Sequence, residues 1–116
     1  MIDNNISYIS WNDFSKIALH IGTIISAEIF EEVRNPAYKL KVDFGDLGIK
    51  KSSAQITELY KPKDLIGKQV VGGLNFQPKQ IANMMSECLI LGTVDNNKEV
   101  TLLTTDKTVK NGIKIS

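Results

Sequence analysis

The chain has little of what most catalysis requires. Among its 116 residues there is one histidine (His20), one cysteine (Cys88), one tryptophan (Trp11) and one arginine (Arg34). A single cysteine closes no disulfide within the chain, and a His/Cys zinc cage cannot be assembled from it. A Ser-His or Cys-His nucleophilic site would have to use His20 as its only imidazole. Charge of one sign is also missing: 14 Lys and Arg stand against 13 Asp and Glu, for a formal charge of +1. No apolar run approaches the roughly 18–20 residues of a membrane helix. The start, Met1-Ile2-Asp3-Asn4-Asn5, has neither the basic nor the apolar region of a signal peptide. The expectation is a cytoplasmic chain with no membrane insertion, no cofactor and no metal. No nucleophile, base or metal set converges in the sequence, so no enzyme is expected. Gly45-Asp46-Leu47-Gly48 is not followed by Gly-Lys-Ser/Thr at phosphate-loop spacing. Asp43 and Asp46 flank a turn, where Asp is common.

What is there is ordinary globular material, 42% hydrophobic and 23% charged. One domain over 1–116 is expected, with 1–9 as a flexible arm. Ser10 reads as a helix cap with Asp13 three residues on, and Trp11, Phe14, Ile17 and Ala18 fall on one helical face. From Leu19 to Ile29 the period is two, which predicts a long strand with a bulge or bend at Gly22. Glu31 to Pro36 is a polar turn. Tyr38, Leu40, Val42 and Phe44 alternate with Lys39, Lys41 and Asp43, so a strand with one wet face follows. Ile49 to Ser52 reads as its hairpin partner. Ser52 and Gln55 form a second capping-box pattern, which predicts a short helix through about Tyr60, stopped by Lys61-Pro62. Gln69 to Asn75 is β-like, Phe76 to Met85 irregular, and Cys88 to Leu91 a candidate central strand. Val100 to Thr104 is a further strand, and Asn111-Gly112 turns the chain before Ile113-Lys114-Ile115.

This order gives the fold class: all-β with short helices. It reads as a five-stranded OB-fold barrel with an N-terminal helix, a helix between strands 3 and 4, and a strand-rich C-terminal extension. Bends at Gly22 and Gly72-Gly73 suit strands that turn the corners of a small barrel.

Several blocks resemble the tRNA-binding OB-domain family. They are Ile21-Gly22-Thr23-Ile24, Pro36-Ala37-Tyr38-Lys39-Leu40 and Val42-Asp43-Phe44-Gly45. Gly48 to Thr57, with Ser52-Ser53-Ala54-Gln55-Ile56-Thr57 at its end and Tyr60-Lys61-Pro62 behind it, is similar to the CsaA branch of that family. Asn75-Phe76, Ile81-Ala82 and Ser86-Glu87 point the same way. The resemblance covers about Asp13 to the C-terminus. It implies a homodimeric OB-fold that binds tRNA without catalysis, and, for this branch, unfolded or export-bound polypeptides held in apolar pockets on the dimer. Relatives commonly carry two consecutive arginines where this chain has Lys79-Gln80, and Asp and Arg near Ala18 and His20. Arginine forks onto phosphate as Lys and Gln do not, so weaker tRNA binding is expected. The alternatives are a polypeptide-binding chaperone that has lost tRNA binding, or an accessory subunit for an aminoacyl-tRNA synthetase.

Candidate nucleic-acid contacts are the lysines first. Lys39 and Lys41 project from one strand, Lys50 and Lys51 from its partner, and Lys61, Lys63 and Lys79 are read as adding to that side. At this density they can neutralise several phosphates. The bland alternative is a solvated face with Asp43, Asp46 and Glu58 interleaved. Ser52, Ser53, Gln55, Asn75, Asn83, Ser86 and Glu87 match family positions near the tRNA-contacting loops, where small polar groups reach phosphate or an unstacked base, and Gln80 is a candidate beside Lys79. Asn75, Ser86 and Glu87 serve equally well as loop fasteners, and Ser52 as a helix cap. Tyr38, Phe44 and Phe76 are expected in the core, so base stacking is not. Met84 and Met85 are candidates for a polypeptide-binding surface, because unbranched thioethers adapt to varied partners; the alternative is one core methionine and one that merely lines the loop. Trp11, Phe14 and Ile17 are the candidate dimer contacts. Cys88 is expected to be an inert core residue.

Overall fold

The structure is a computed structural model and describes residues 6–116. The expected arm falls partly outside these residues; residues 6–9 are exposed and carry no regular structure. The Ser10 hydroxyl accepts the Asp13 N–H at 3.0 Å and caps α1 (Trp11–Ser15). Asp13 does not close a capping box: its carboxylate meets Lys16 Nζ at 3.2 Å instead. A helix this short buries no residue of its own.

β1 (Leu19–Ile29) is long enough to serve two partners. Its first half pairs with β4 (Gln69–Gly73) and its second with β2 (Tyr38–Asp43), Thr23 standing opposite both Gln69 and Asp43. The irregularity needed for this change of partner lies between Ile24 and Ser26, not at Gly22 as the sequence suggested. Gly22 has a different reason. A Cβ there would lie 2.6 Å from Val42 Cγ1 and 2.7 Å from the Phe44 ring, and one on Gly72 would lie 2.6 Å from the same ring. Phe44 is fully buried against these two bare backbones.

β3 (Ile49–Ala54) pairs with β2, and every ladder is antiparallel. No helix begins at Ser52; the chain stays extended to Ala54, and the helix between the third and fourth strands is α2 (Pro62–Leu65). Ser52 is buried, and its hydroxyl donates to the Cys88 carbonyl at 3.0 Å, so it is a strand residue and not a cap. Pro62 opens α2, where its missing N–H costs nothing, and Leu65 plugs the core. The stretch expected to be irregular holds a hairpin of β5 (Lys79–Ile81) and β6 (Met84–Ser86). Cys88 to Leu91 is not a central strand: β7 (Leu89–Ile90) ends the five-stranded sheet, whose order is β3-β2-β1-β4-β7. β8 (Gly92–Val94) and β9 (Val100–Leu102) form a separate ladder. Phe76 is half exposed, at 51%, because it follows the end of β4.

The barrel all but closes between β3 and the chain before β7. Glu87 N–H donates to the Lys51 carbonyl at 2.7 Å, and the Glu87 carboxylate accepts the Lys51 N–H at 2.9 Å. The core inside comprises Ile24, Leu40, Val42, Phe44, Leu65 and Val70, each at most 1% exposed. The Asn111-Gly112 turn returns the C-terminal segment to β1, where Ile113 and Leu19 carbonyls accept from Ile21 and Ile115.

Candidate nucleic-acid interface

Strand alternation builds the site. Tyr38, Leu40 and Val42 point into the core, so Lys39 and Lys41 must point out. On β3, Lys51 stands opposite Lys41 and Ser53 opposite Lys39. On β1, Ser26 stands opposite Lys41 and Glu28 opposite Lys39. Lys39, Lys41, Lys51 and Ser53 therefore share one outer face. Two lysines directly across a ladder repel each other, and among the described residues no carboxylate lies within 4.0 Å of Lys41 or Lys51. Among the described residues the single ion pair is Lys16–Asp13, far along the chain from this face. Lys39 Nζ lies 5.4 Å from the Phe30 ring centroid, a cation–π distance. The three ammoniums border a concavity of about 220 Å³, with Glu28 and Asn83 on its rim.

Apart from Ser53 and Asn83, the structure does not gather the other candidates here. Lys50 is in register with the buried Val42 and faces the opposite way from Lys51. Lys61 and Lys63 fall on α2 and its cap. Lys79 borders a larger groove of about 590 Å³, along with Ser53, Ile81 and the exposed apolar side chains of Phe76, Leu89 and Val94. The Gln80 amide donates to the Ala82 carbonyl at 2.7 Å within its own hairpin. Asn83 reaches the lysine concavity, while its amide donates to Glu32 at 3.2 Å. Asn75, Ser86 and Glu87 are fasteners. The Asn75 side chain accepts from Ala18 at 2.9 Å and donates to Lys16 at 2.6 Å, tying α1 to the end of β4. Ser86 Oγ accepts from Ser53 at 3.3 Å, and Glu87 closes the barrel.

The two methionines part company for the reason that separates Lys50 from Lys51. Met84 is buried with Phe30 and Ala37 in a small second core, and Met85 faces outward, 43% exposed. Met84 nonetheless lines the floor of the lysine concavity. Trp11 is 88% and Ile17 39% exposed, with Phe14 half-buried. Burial pushes the Cys88 thiol up from 9.0 to about 11, so it stays protonated at neutral pH. Sequence reasoning missed the apolar groove because it counted Phe76 with the core; the irregular pattern after Asn75 was the available signal.

A nearly closed antiparallel barrel with a helix after its third strand and a lysine-bearing β2–β3 face defines an OB-fold domain. Residues 19–114 match the family described as "Putative tRNA binding domain". Chaperone CsaA of Bacillus anthracis str. Ames is 48% identical, with 95% of this chain and 100% of that one covered at a TM-score of 0.90. The CsaA chaperone protein of Picrophilus torridus is 49% identical, covering 94% and 100%, at a TM-score of 0.87. Methionine–tRNA ligase of Caldanaerobacter subterraneus subsp. tengcongensis is 33% identical over 114 residues, which are 98% of this chain and 17% of that enzyme. That of Methanocaldococcus jannaschii is 37% identical over 100 residues, 86% of this chain and 15% of the enzyme. The chain therefore spans about one-sixth of these synthetases. The chain belongs to the tRNA-binding-domain family, and its likeness along the whole of two CsaA structures places it with the CsaA-type members.

Proposed function

We propose that the protein is a non-catalytic, cytoplasmic tRNA-binding homodimer whose contact surface is the outer face of β2 and β3. The observation that carries this is the opposed pair Lys41 and Lys51, without an ion-pair partner among the described residues, with Lys39 beside them. Such a face is strained by its own charge until an anion settles on it, and RNA supplies phosphates in series. The test is fluorescence-anisotropy titration with bulk tRNA at two salt concentrations. Micromolar or tighter binding that weakens steeply with salt is expected. Replacing Lys39, Lys41 and Lys51 together by Ala should lower the slope of log K against log salt by roughly 2 to 3. An unchanged slope would defeat the assignment.

A second reading is favoured by the 590 Å³ groove. Phe76, Leu89 and Val94, exposed along it, offer an apolar surface of the kind that holds unfolded or export-bound polypeptide. In this reading Met85, facing out of the neighbouring hairpin, is an auxiliary contact.

A further inference from the structure

Arg34, the chain's one arginine, belongs to no contact described so far. It lies in the loop joining β1 to β2. That loop is held firmly for a surface turn. Phe30 and Ala37 at its ends are buried with Met84, Val33 and Ile81 pack against them, and Asn83 donates to Glu32 at 3.2 Å. Loop and β5–β6 hairpin are therefore joined at their tips. One side of the joint opens on the lysine concavity. The other opens on a second cleft of about 350 Å³, floored by Val33, Ala37 and Ile81 and with Glu32, Arg34, Asn35, Ser53 and Gln55 around it. The two clefts share no lining residue but are lined by neighbours. Lys39 lines the first, and Ser53, its neighbour across the ladder, lines the second. Cross-strand neighbours have Cβ atoms about 5 Å apart.

Arg34 is exposed, and among the described residues no carboxylate lies within 4.0 Å of it, although Glu31 and Glu32 precede it in the loop. Glu32 lines the same cleft, but its carboxylate is engaged by Asn83. Asn35 and Gln55 stand exposed on the cleft's rim. A free guanidinium presents a rigid fork that fits a phosphate in two places at once. Side-chain amides both donate to and accept from a ribose hydroxyl.

The geometry points to Arg34 as a further RNA contact: it takes the backbone phosphate next in line after those on the lysine face, while Asn35 and Gln55 take the 2′-hydroxyl of that nucleotide. The role rests on the RNA-binding reading above. It supplies, from a different loop, the forked arginine that Lys79-Gln80 does not.

The test is the same titration with bulk tRNA and with single-stranded DNA of matched length, at two salt concentrations. The proteins are wild type, Arg34→Ala, Arg34→Lys, Gln55→Ala and the triple lysine variant. Arg34→Ala is expected to weaken tRNA binding roughly tenfold and to remove about one from the salt slope. Arg34→Lys should restore the slope but not the full affinity. Gln55→Ala should weaken tRNA binding and leave DNA binding in place. Arg34→Ala with wild-type affinity and slope, while the triple lysine variant loses binding, would overturn the role of Arg34 and leave the lysine face standing. A wild-type protein that binds no tRNA even at low salt would overturn both. Arg34 and Gln55 are exposed, so matched thermal melts should show every variant folded.

Discussion

Lys50 and Lys51 are adjacent in sequence and face opposite ways, and Met84 and Met85 do the same. Each dipeptide looks like a doubled signal, yet a strand spends one member on each face. That alternation selects Lys51 for the outer face and Met84 for the second core. Cys88 illustrates a residue made inert by its place. Desolvation is the largest influence on its thiol and raises it to about 11. In the unfolded chain the thiol ionises near 9, so stability present below pH 9 is lost as pH climbs toward 11. Chemical denaturation of wild type should lose about 2 to 3 kcal/mol more over that range than Cys88→Ala loses. Equal losses in the two proteins would mean the thiol is not shielded. An alkylating reagent at neutral pH should likewise leave native Cys88 untouched and label it on unfolding.

Among the elements, the seam between β3 and the chain before β7 is the distinctive construction. It is fastened by Ser52, Ser86 and Glu87 side chains together with one backbone bond. Ser52 has the most at stake, because it is 1% exposed and its hydroxyl satisfies a buried carbonyl. Ser52→Ala should cost about 1 to 3 kcal/mol in denaturant unfolding. It should also speed hydrogen exchange at the Lys51 and Ser53 amides, and unchanged exchange there would show that the seam does not depend on the hydroxyl. The same seam explains where the sequence was legible. Long β1, wet-faced β2 and the final turn were readable from period and turn residues alone, because their partners lie in regular ladders. The Ser52-x-x-Gln55 pattern misled because a capping box and a buried seam serine have the same local spelling. What separates them is Cys88, 36 residues away, and no local period carries that distance. β5 and β6 were lost for a related reason: three-residue strands are too short to establish an alternation. The lysine face could be read as far as Lys39, Lys41 and Lys51. Arg34 was not read as part of it, because a lone arginine in a polar turn has no pattern until the fold sets it beside Ser53.

Taken whole, the molecule carries two dissimilar surfaces on either side of one hairpin. The lysine face has opposed like charges and a mixed cleft beyond it; the groove is apolar, and Ser53 borders both the groove and that cleft. A polyanion and an unfolded polypeptide would thus meet the protein at adjoining places. The proposed homodimer bears on both. Trp11 stands exposed on a helix that buries nothing of its own, with Ile17 exposed just beyond its end, which is costly for an isolated chain and natural for a contact surface. Two copies would also present two lysine faces to one tRNA, and linked sites of this kind can exceed the single site by 10²–10⁴ when both reach the ligand. Light scattering at micromolar concentration should therefore give the mass of two chains, and Trp11→Ser the mass of one. The monomeric variant should keep the salt slope per chain set by Lys39, Lys41 and Lys51 but bind tRNA at least tenfold more weakly, because the second face is gone. A wild-type monomer would remove the homodimer from the proposed function. A Trp11→Ser variant that remains dimeric would place the contact elsewhere on the barrel. Full affinity in a true monomer would mean that one lysine face, with Arg34 beside it, suffices for tRNA.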